Sequence, residues 1–594
     1  MLLSHRKRAG GTTLCRVKRT TRLSSKRICG CARDGVTLFA DVYRPAVPGR
    51  FPVLVIRTPY DKSVDNALTE KAYFPPCGYV VVVQDTRGRF ASEGEFYPFL
   101  HEASDGYDTI EWAAGLPWSN GRVGTVGQSY MAVVQYQLAA TRPPHLLAMC
   151  PVSGSTSYFE NSIWRRGVFE LAYRLKYFIM MARETLLRRG LSDQLWPALA
   201  DYLTDPHDLR SPLKLEAIRH LPLHDWGERL RESVPYCAEM LANARYGPYW
   251  EQADLGRRFA AVSVPMLHVG SWYDMFQYDT VKMFRGLRTS AMTDQAQRGQ
   301  RLLMGPWAHL LPYSVPTSRG SGEIDFGPAA RIDLHAIQVR WFDSHLQGLD
   351  NGLEQEPPVR IFVMGENTWR DENEWPLART RFTPVYLASG GKANSRQGDG
   401  RLELTLPGTQ PADTYVYDPA DPVPTCGGTF IGLGNGVRNQ TAVEERDDVL
   451  VYTGAILERD CEVTGPVVLR LFAASSAPDT DFTAKLVDIR PDGYAQNIAE
   501  GVVRARFRES LEFPTLIQPG QVYEYTIDLW STSHVFKAGH RLRLEVSSSN
   551  FPRYDRNQNT GHELGADAET RPAQQTVFHD NRSPSHLILP VIPR

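Results

Sequence analysis

From Asp34 onward the chain alternates short apolar runs with stretches of helical periodicity. The apolar runs are of strand length and lie at 51–56, 80–83, 122–126, 264–269 and 301–304. Near-continuous apolar strands that alternate with helices are typical of a mostly parallel sheet covered on both faces. The first part of the chain is therefore predicted to form an α/β core.

Between residues 155 and 258 the pattern changes. Helical periodicity dominates here, as in 169–178 and 195–203, and strand-like runs are few. The strand pattern then resumes at Val264, and a predicted helix near 336–349 leads into a linker at 350–358 that is rich in turn-forming residues. We therefore expect a core built from 34–154 and 259–350, with 155–258 inserted as a helical cap.

Beyond residue 357 alternating segments of strand length recur between turns that contain Gly, Pro and Asp-Gly. They lie at 359–363, 467–472, 482–488, 524–529 and 541–546. Such spacing is typical of a β-sandwich or jelly roll. The segment 357–594 is predicted to be an all-β domain.

Charge and hydropathy exclude several classes of protein. The chain of 594 residues has 66 Lys and Arg against 67 Asp and Glu, so it lacks the basic field that binds nucleic acid or anionic lipid. No run approaches the 18 or more apolar residues of a membrane span. The eight cysteines are scattered, without the spacing of a zinc site or a disulfide framework. These features favour a cytoplasmic protein with reduced thiols and no metal; a homodimer is left open.

Residues 1–33 differ from the rest, because they contain ten Lys and Arg and no Asp or Glu. A nucleic-acid arm and a transit-like peptide are the functional readings of such a segment. No apolar stretch follows the charges, which argues against a secretory signal. We expect an unfolded basic extension.

Ser129 lies where an apolar strand meets a helix, in the segment 121–132. Gly127 precedes it by two residues, as in the nucleophile elbow, where a sharp turn exposes a serine and aims the next N–H at an oxyanion. The second glycine of that motif is replaced by Met131, and the small residue, Ala132, comes one position later. A structural serine at a strand-to-helix turn is the alternative.

Asp274 and His309 follow the ends of the two apolar runs after the helical insertion. With Ser129 they give the order serine, acid, histidine, each just past the carboxyl end of a strand, where open α/β sheets bind ligands. Taken singly, Asp274 would fit a helix cap and His309 a packed histidine. The joint order and position of the three residues favour a catalytic triad. His268, in contrast, lies inside its predicted strand, and we expect its side chain to pack in the interior.

Two further features lie after strand ends. Tyr60 follows the first apolar run, so its phenol is a candidate oxyanion donor, with simple packing as the alternative. Asp85 and Arg87 follow the second run, and we expect them to form an ion pair that fixes their loop.

These residues together resemble the cocaine-esterase and X-prolyl dipeptidyl-peptidase family of α/β-hydrolases. The resemblance runs from about Asp34 to Arg594. Matching stretches in the core are 57–62, 84–88, 91–96, 127–130, 272–274 and 305–309; those in the C-terminal half are 418–424, 479–485 and 547–552. The family implies an α/β-hydrolase core, a helical cap and a C-terminal jelly roll.

The resemblance also implies a role for each matching residue. Ser129 would be the nucleophile, His309 the base and Asp274 its partner, with the Tyr60 O–H and the Tyr130 N–H as the oxyanion hole. No cofactor is implied. Met131 fits the family's pattern, and only Ala132 departs from it, adding one methyl group at a helix crossing. The substrate pocket is expected to involve Phe276, Trp164, Phe169 and Ile431.

Three functions follow as hypotheses. The first is a serine hydrolase that cleaves small carboxylic esters through an acyl-enzyme intermediate. The second is an X-prolyl dipeptidyl aminopeptidase or an acylase for α-amino acid esters and β-lactams. In related amino-ester hydrolases acidic residues lie two and three positions after the catalytic Asp, where this chain has Phe276 and Gln277. The third is a non-catalytic binding protein, which a decayed triad would indicate.

Overall fold

The computed structural model describes residues 20–22, 28–64, 69–209, 211–309, 322–432 and 434–594. The first half of the core contributes seven strands and three helices. The strands are β1 (Thr20–Arg22), β2 (Ile28–Cys31), β3 (Thr37–Pro45), β4 (Phe51–Thr58), β5 (Val80–Asp85), β6 (Ser119–Gln128) and β7 (Leu146–Val152). The helices are α1 (Glu70–Tyr73), α2 (Glu102–Ala114) and α3 (Tyr130–Ala139).

The cap follows β7 and is mainly helical. Its helices are α4 (Tyr158–Asn161), α5 (Leu171–Arg189), α6 (Ser192–Ala200), α7 (Leu215–Arg219), α8 (Asp225–Arg229), α9 (Tyr236–Ala242) and α10 (Pro248–Glu251). A two-stranded hairpin, β8 (Trp164–Arg165) with β9 (Val168–Phe169), precedes α5. Helix α5 turns a buried aromatic and aliphatic face inward, and this face and the other cap helices form one hydrophobic cluster that also reaches Tyr130.

The second half of the core completes the sheet. It contributes β10 (Leu267–Tyr273), α11 (Gln277–Ser290), α12 (Asp294–Arg298), β11 (Arg301–Ala308), α13 (Leu334–Gln347), β12 (Val359–Val363) and β13 (Thr368–Glu372). The order across the sheet is β1-β3-β5-β4-β6-β7-β10-β11-β12-β13, and β2 pairs with β3 off this path. The strands from β5 to β12 in this order are parallel, with antiparallel pairs at both edges. The predicted α/β core is confirmed.

Strands β12 and β13 correct one sequence assignment. The segment 359–363 was expected to open the all-β domain, but β12 pairs in parallel with β11, and β13 pairs with β12. Both strands thus extend the core sheet. A short apolar strand has the same sequence pattern in either domain, so periodicity could not assign it.

The C-terminal part forms a second eleven-stranded sheet. Its strands are β14 (Arg381–Ala388), β15 (Arg401–Glu403), β16 (Asp413–Tyr417), β17 (Leu450–Thr453), β18 (Cys461–Ser475), β19 (Asp481–Ile489), β20 (Ala495–Arg504), β21 (Tyr523–Phe536), β22 (Arg541–Ser547), β23 (Ala573–Phe578) and β24 (His586–Ile592). The long β18 pairs along its length with β21, β23 and β24, and apolar side chains from most strands meet in one buried cluster. This confirms the all-β C-terminal domain.

The N-terminal extension is only partly described. Strands β1 and β2 lie within 1–33 and pair antiparallel with β3, so the expectation of an unfolded segment is wrong for these residues. The remainder of that prediction, at 1–19 and 23–27, lies outside the described residues.

The cysteines show one departure from the sequence-based expectation. Cys150, Cys237, Cys426 and Cys461 are free thiols, as expected. Cys77, in contrast, is disulfide-bonded. The prediction of reduced thiols is therefore wrong at Cys77.

None of the described helices is both long enough and apolar enough to cross a membrane.

Candidate active site

Ser129 occupies a strained turn between β6 and α3. Its backbone lies at φ 63° and ψ −124°, a region that non-glycine residues rarely adopt. The Ser129 N–H donates to the Val152 carbonyl on β7 at 2.9 Å, which fixes the turn to the sheet. Gly127, at φ 148°, is required here because a Cβ at that position would lie 2.6 Å from the Cβ of Met131. The local geometry is that of a nucleophile elbow.

Asp274 and His309 form a hydrogen-bonded pair. Asp274 directly follows β10 and His309 directly follows β11, and the His309 Nδ1 lies 2.9 Å from the Asp274 Oδ2. Asp274 is fully buried, and its other carboxylate oxygen accepts the Phe276 N–H at 2.8 Å. Both oxygens of the acid are thus engaged, which fixes the carboxylate against the imidazole.

A contact across the sheet ties the histidine to the elbow. The side-chain amide of Gln128, the residue before Ser129, donates to the backbone carbonyl of His309. Because β6, β7, β10 and β11 are neighbours in the sheet, the three residues that follow β6, β10 and β11 gather at one edge.

Tyr60 and Ser129 line the same cleft. The Tyr60 ring lies edge-on to that of Tyr130, with centroids 6.5 Å apart. Burial, with Tyr177 and Tyr173 close by, raises the pKa of the Tyr60 phenol well above its ordinary value. The phenol therefore stays protonated at neutral pH and is a hydrogen-bond donor.

Tyr130 offers its backbone rather than its side chain. It is the first residue of α3, where the N–H has no acceptor within the helix. Its phenol donates to Glu102 at 2.9 Å, and Glu102 in turn forms a buried ion pair with Arg57 at 2.8 Å. This chain of contacts holds the tyrosine ring in place and leaves the N–H available.

The prediction of an ion pair between Asp85 and Arg87 is wrong. Asp85 pairs instead with Lys62 at 2.7 Å, and Arg87 pairs with Asp105 at 2.6 Å and with Asp34 at 2.8 Å. Both residues do fix their loop, but through partners that the fold brings in from the loop after β4, from α2 and from the segment before β3.

The cleft beside Ser129 has a cavity volume of about 20 Å³. Of the four expected pocket residues Phe276 lines it, and its ring stands edge-on to that of His309 at 5.4 Å. Trp164 and Phe169 pack instead in the cap interior, where the Trp164 indole N–H donates to the Met240 carbonyl at 3.2 Å. Ile431, which is partly buried, is also outside the cleft lining.

Most of the cleft wall was not identified from the sequence. The residues that were not identified are Phe99, Val133, Tyr158, Ser162, Tyr173, Arg174 and Tyr177. The wall also contains the expected residues Tyr60, Ser129, Tyr130 and Phe276. Tyr173, Arg174 and Tyr177 lie in the segment 169–178, which the periodicity correctly predicted to be helical. Tyr173 and Tyr177 are four residues apart, the spacing of one helix face, but nothing in that pattern says which face meets Ser129.

His268, the histidine inside β10, has a structural role. His268 is fully buried in β10, its Nδ1 lies 3.1 Å from the Tyr136 hydroxyl, and its Nε2 lies 2.9 Å from the Gln300 side-chain oxygen. Burial lowers its pKa to about 4. The prediction that His268 packs inside its strand is confirmed.

Among the described residues one group of side chains has the spacing of a metal site: His562, Asp567 and Glu569 in the C-terminal domain. None of the three lines the cleft.

A parallel sheet with a strained serine after one strand and a hydrogen-bonded acid–histidine pair after two neighbouring strands defines a serine hydrolase of the α/β-hydrolase class. Comparison with known proteins agrees. The family model for the X-Pro dipeptidyl-peptidase (S15 family) matches residues 34–311, and the model for the X-Pro dipeptidyl-peptidase C-terminal non-catalytic domain matches residues 351–588. The chain belongs to this family.

Individual relatives cover nearly the whole chain. The cocaine esterase of Rhodococcus sp. (strain MB1 Bresler) is 39% identical over 581 residues, which span 95% of this chain and 97% of that enzyme. Among solved structures, an aminopeptidase from a marine sediment Thaumarchaeota archaeon has a TM-score of 0.81 at 24% identity, covering 100% of this chain and 99% of that one. An α-amino acid ester hydrolase has a TM-score of 0.78 at 23% identity, covering 96% of each chain. At these identities the two structures show the shared fold.

Proposed function

We propose that this chain hydrolyses carboxylic esters of small molecules through an acyl-enzyme intermediate, with Ser129 as the nucleophile. The observation that carries the proposal is the pair of Asp274 and His309, 2.9 Å apart, at the same sheet edge as the strained Ser129. The relation to cocaine esterase supports an ester as the bond that is cleaved.

In this mechanism His309 takes the proton from the Ser129 hydroxyl as the oxygen attacks the ester carbonyl. Asp274, which contacts the Nδ1 of His309, fixes the tautomer that leaves Nε2 as the base and stabilises the imidazolium that forms. His309 then gives the proton to the departing alcohol. Water, activated by the same histidine, releases the acid.

The developing oxyanion is stabilised by two donors of different kinds. The Tyr130 N–H comes from the helix end, and the Tyr60 O–H comes from the loop after β4. Both are fixed before the reaction, Tyr130 through Glu102 and Tyr60 through the packing of its ring. Donors that are fixed in advance stabilise charge in the transition state without reorganisation.

An ester without an α-ammonium group suits the cleft better than an aminopeptidase or amino-ester substrate. An ammonium group inside a cleft calls for a carboxylate partner. The described residues that line the cleft include no carboxylate and one guanidinium, that of Arg174. This charge disfavours the α-amino alternative.

Replacing the nucleophile tests the proposal directly. With aryl, alkyl and α-amino acyl esters as substrates, Ser129→Ala is expected to lower kcat at least ~10⁴-fold, since the other two triad members cannot act alone. Ser290→Ala, at an exposed serine at the end of α11, is the matched control and should keep full activity. Undiminished hydrolysis by Ser129→Ala would overturn the mechanism, and a strong preference for α-amino acyl groups would overturn the substrate class.

A homodimer and a cytoplasmic location both stay predictions. Light scattering on the purified protein tests for the homodimer, and cell fractionation tests for the cytoplasmic location.

A further inference from the structure

A buried arginine lines the cleft beside the proposed nucleophile. Arg174 lies in the first turn of α5 and lines the same cleft as Ser129, yet its side chain is only 5% exposed. Neither the acyl transfer chemistry nor the oxyanion hole uses it. A charge in this position has a free-energy cost unless something compensates for it.

The guanidinium of Arg174 is held in a fixed position. Its Nε donates to the Ser162 carbonyl at 2.6 Å, and its Nη2 donates to the Ser162 hydroxyl. The rings of Tyr173 and Tyr177 lie 4.8 Å and 5.9 Å from the guanidinium carbon. Within the described part of the chain Nη1, the third nitrogen, has no hydrogen-bond partner in the protein.

The charge of Arg174 is not neutralised by an ion pair. None of the described carboxylates lies within 4.0 Å of it. Glu170, one helical turn earlier, is the acid that interacts with it, but Glu170 also faces Arg165 and lies 3.4 Å from Arg553. Arg165 and Arg553 also interact with Glu500, so among the described residues two carboxylates, Glu170 and Glu500, face three guanidinium groups here. Buried Arg is normally paired, so the missing partner is the notable feature.

We infer that Arg174 selects substrates that carry a carboxylate, which its guanidinium binds in the cleft beside Ser129. The inference rests on the proposed ester hydrolysis and narrows its substrate class to anionic esters. A substrate carboxylate would supply the missing charge partner and accept a charge-assisted hydrogen bond from Nη1, the nitrogen that has no partner in the protein. The carboxylate belongs either to the acyl part or to the alcohol part of the ester.

The selection of anionic esters is tested with matched esters that differ in the charge of one substituent. For the acyl part, kcat/KM is measured for the 4-nitrophenyl esters of 4-carboxybenzoic, 4-methylbenzoic and 4-(aminomethyl)benzoic acid. For the alcohol part, 4-acetoxybenzoate is compared with 4-tolyl acetate. Each rate is divided by that for hydroxide attack, which removes differences in intrinsic reactivity.

In at least one of the two series the corrected kcat/KM of the wild type is expected to be at least about tenfold higher for the anionic ester than for the neutral one. If that is the acyl series, the cationic ester should be the slowest of the three. The preference for the anionic ester should fall to near one in Arg174→Met and be partly kept in Arg174→Lys, which retains the charge. Arg183→Met, at an exposed arginine on the same helix, is the control and should leave the preference unchanged. A purely structural role would slow all esters alike and leave the preference intact.

The inference is overturned if the wild type shows no preference for the anionic ester in either series, or if the preference survives in Arg174→Met. The wild-type comparison decides the matter even if the variants do not fold. Failure of the proposed function looks different, because hydrolysis of every ester would then persist in Ser129→Ala.

Discussion

Ser129 shows how a single residue can be both strained and well supported. Its positive φ costs on the order of 1–3 kcal/mol for a side chain with a Cβ. The hydrogen bond to Val152 and the start of α3 at the next residue hold the turn in this conformation. The sequence signal for the elbow was Gly127, and the structure explains it through the contact that any larger residue would make with Met131.

The proposed oxyanion role of Tyr60 can be tested by removing one oxygen. Tyr60→Phe is expected to lower kcat by ~10²–10³-fold with little change in KM, because the lost donor acts on the transition state. Circular dichroism and the melting temperature should stay the same, since the ring is retained. Tyr73→Phe is a matched control: its hydroxyl donates to Asp333, away from the cleft lining, and its removal should leave kcat unchanged. An unchanged kcat in Tyr60→Phe would contradict the role.

At the scale of elements, Ala132 on α3 packs closely against a glycine that follows β7. A Cβ on Gly154, just after β7, would lie 2.5 Å from the Cβ of Ala132 on α3. The methyl group of Ala132 is therefore accommodated by the absence of a side chain at Gly154. This close crossing sets the angle at which α3 leaves the elbow.

A pair of substitutions tests that crossing. Gly154→Ala is expected to destabilise the protein by about 1–3 kcal/mol through overpacking and to lower the temperature of the unfolding transition measured by calorimetry. Adding Ala132→Gly should restore part of the loss, because backbone atoms 3.1 Å away remain in contact. If the double variant melts no higher than Gly154→Ala alone, the two positions are not coupled.

The strands near the site could be predicted from sequence because their signal is local. Runs of β-branched residues that are buried on both faces, such as β4 and β5, can be recognised as strands from the sequence alone. Strands β12 and β13 could not be assigned in this way, because a short strand that mixes buried and exposed positions has the same pattern in a core sheet as in a sandwich.

At the scale of the whole molecule, a buried ionic network joins the cap to the C-terminal domain. Arg553 is fully buried and pairs with Glu500 of its own domain and with Glu170 of the cap. The Phe169 N–H also donates to Asp555 at 2.7 Å across the same boundary. Because Glu170 precedes α5 directly, this network positions the helix that carries Arg174.

Removing the shared cation should therefore destabilise the molecule. Arg553→Leu removes the cation with which two buried carboxylates form ion pairs, and breaking a buried pair in this way typically costs about 3–5 kcal/mol. We expect the melting temperature to fall by several degrees and ester turnover to fall with it as α5 shifts. Arg571→Leu, which breaks an exposed pair with Glu569, is the control and should change the melting temperature little. Equal melting temperatures for the two variants would show that the network does not stabilise the junction.

The sequence by itself determined the α/β core, the all-β C-terminal domain and the residues that follow the strand ends. Parallel strands impose this, because their carboxyl ends meet at one edge and the chain order of Ser129, Asp274 and His309 can be read along that edge. The family resemblance then implied a role for each residue.

Only the tertiary structure decided which side chains face one another across long sequence separations. Arg87 pairs with Asp105 rather than Asp85, Trp164 turns into the cap interior, and Arg174 enters the cleft. The reason is physical: helical periodicity defines a buried face, but the partner of that face depends on how the cap packs on the core. A buried charge without a partner is likewise visible only once every neighbour is in place.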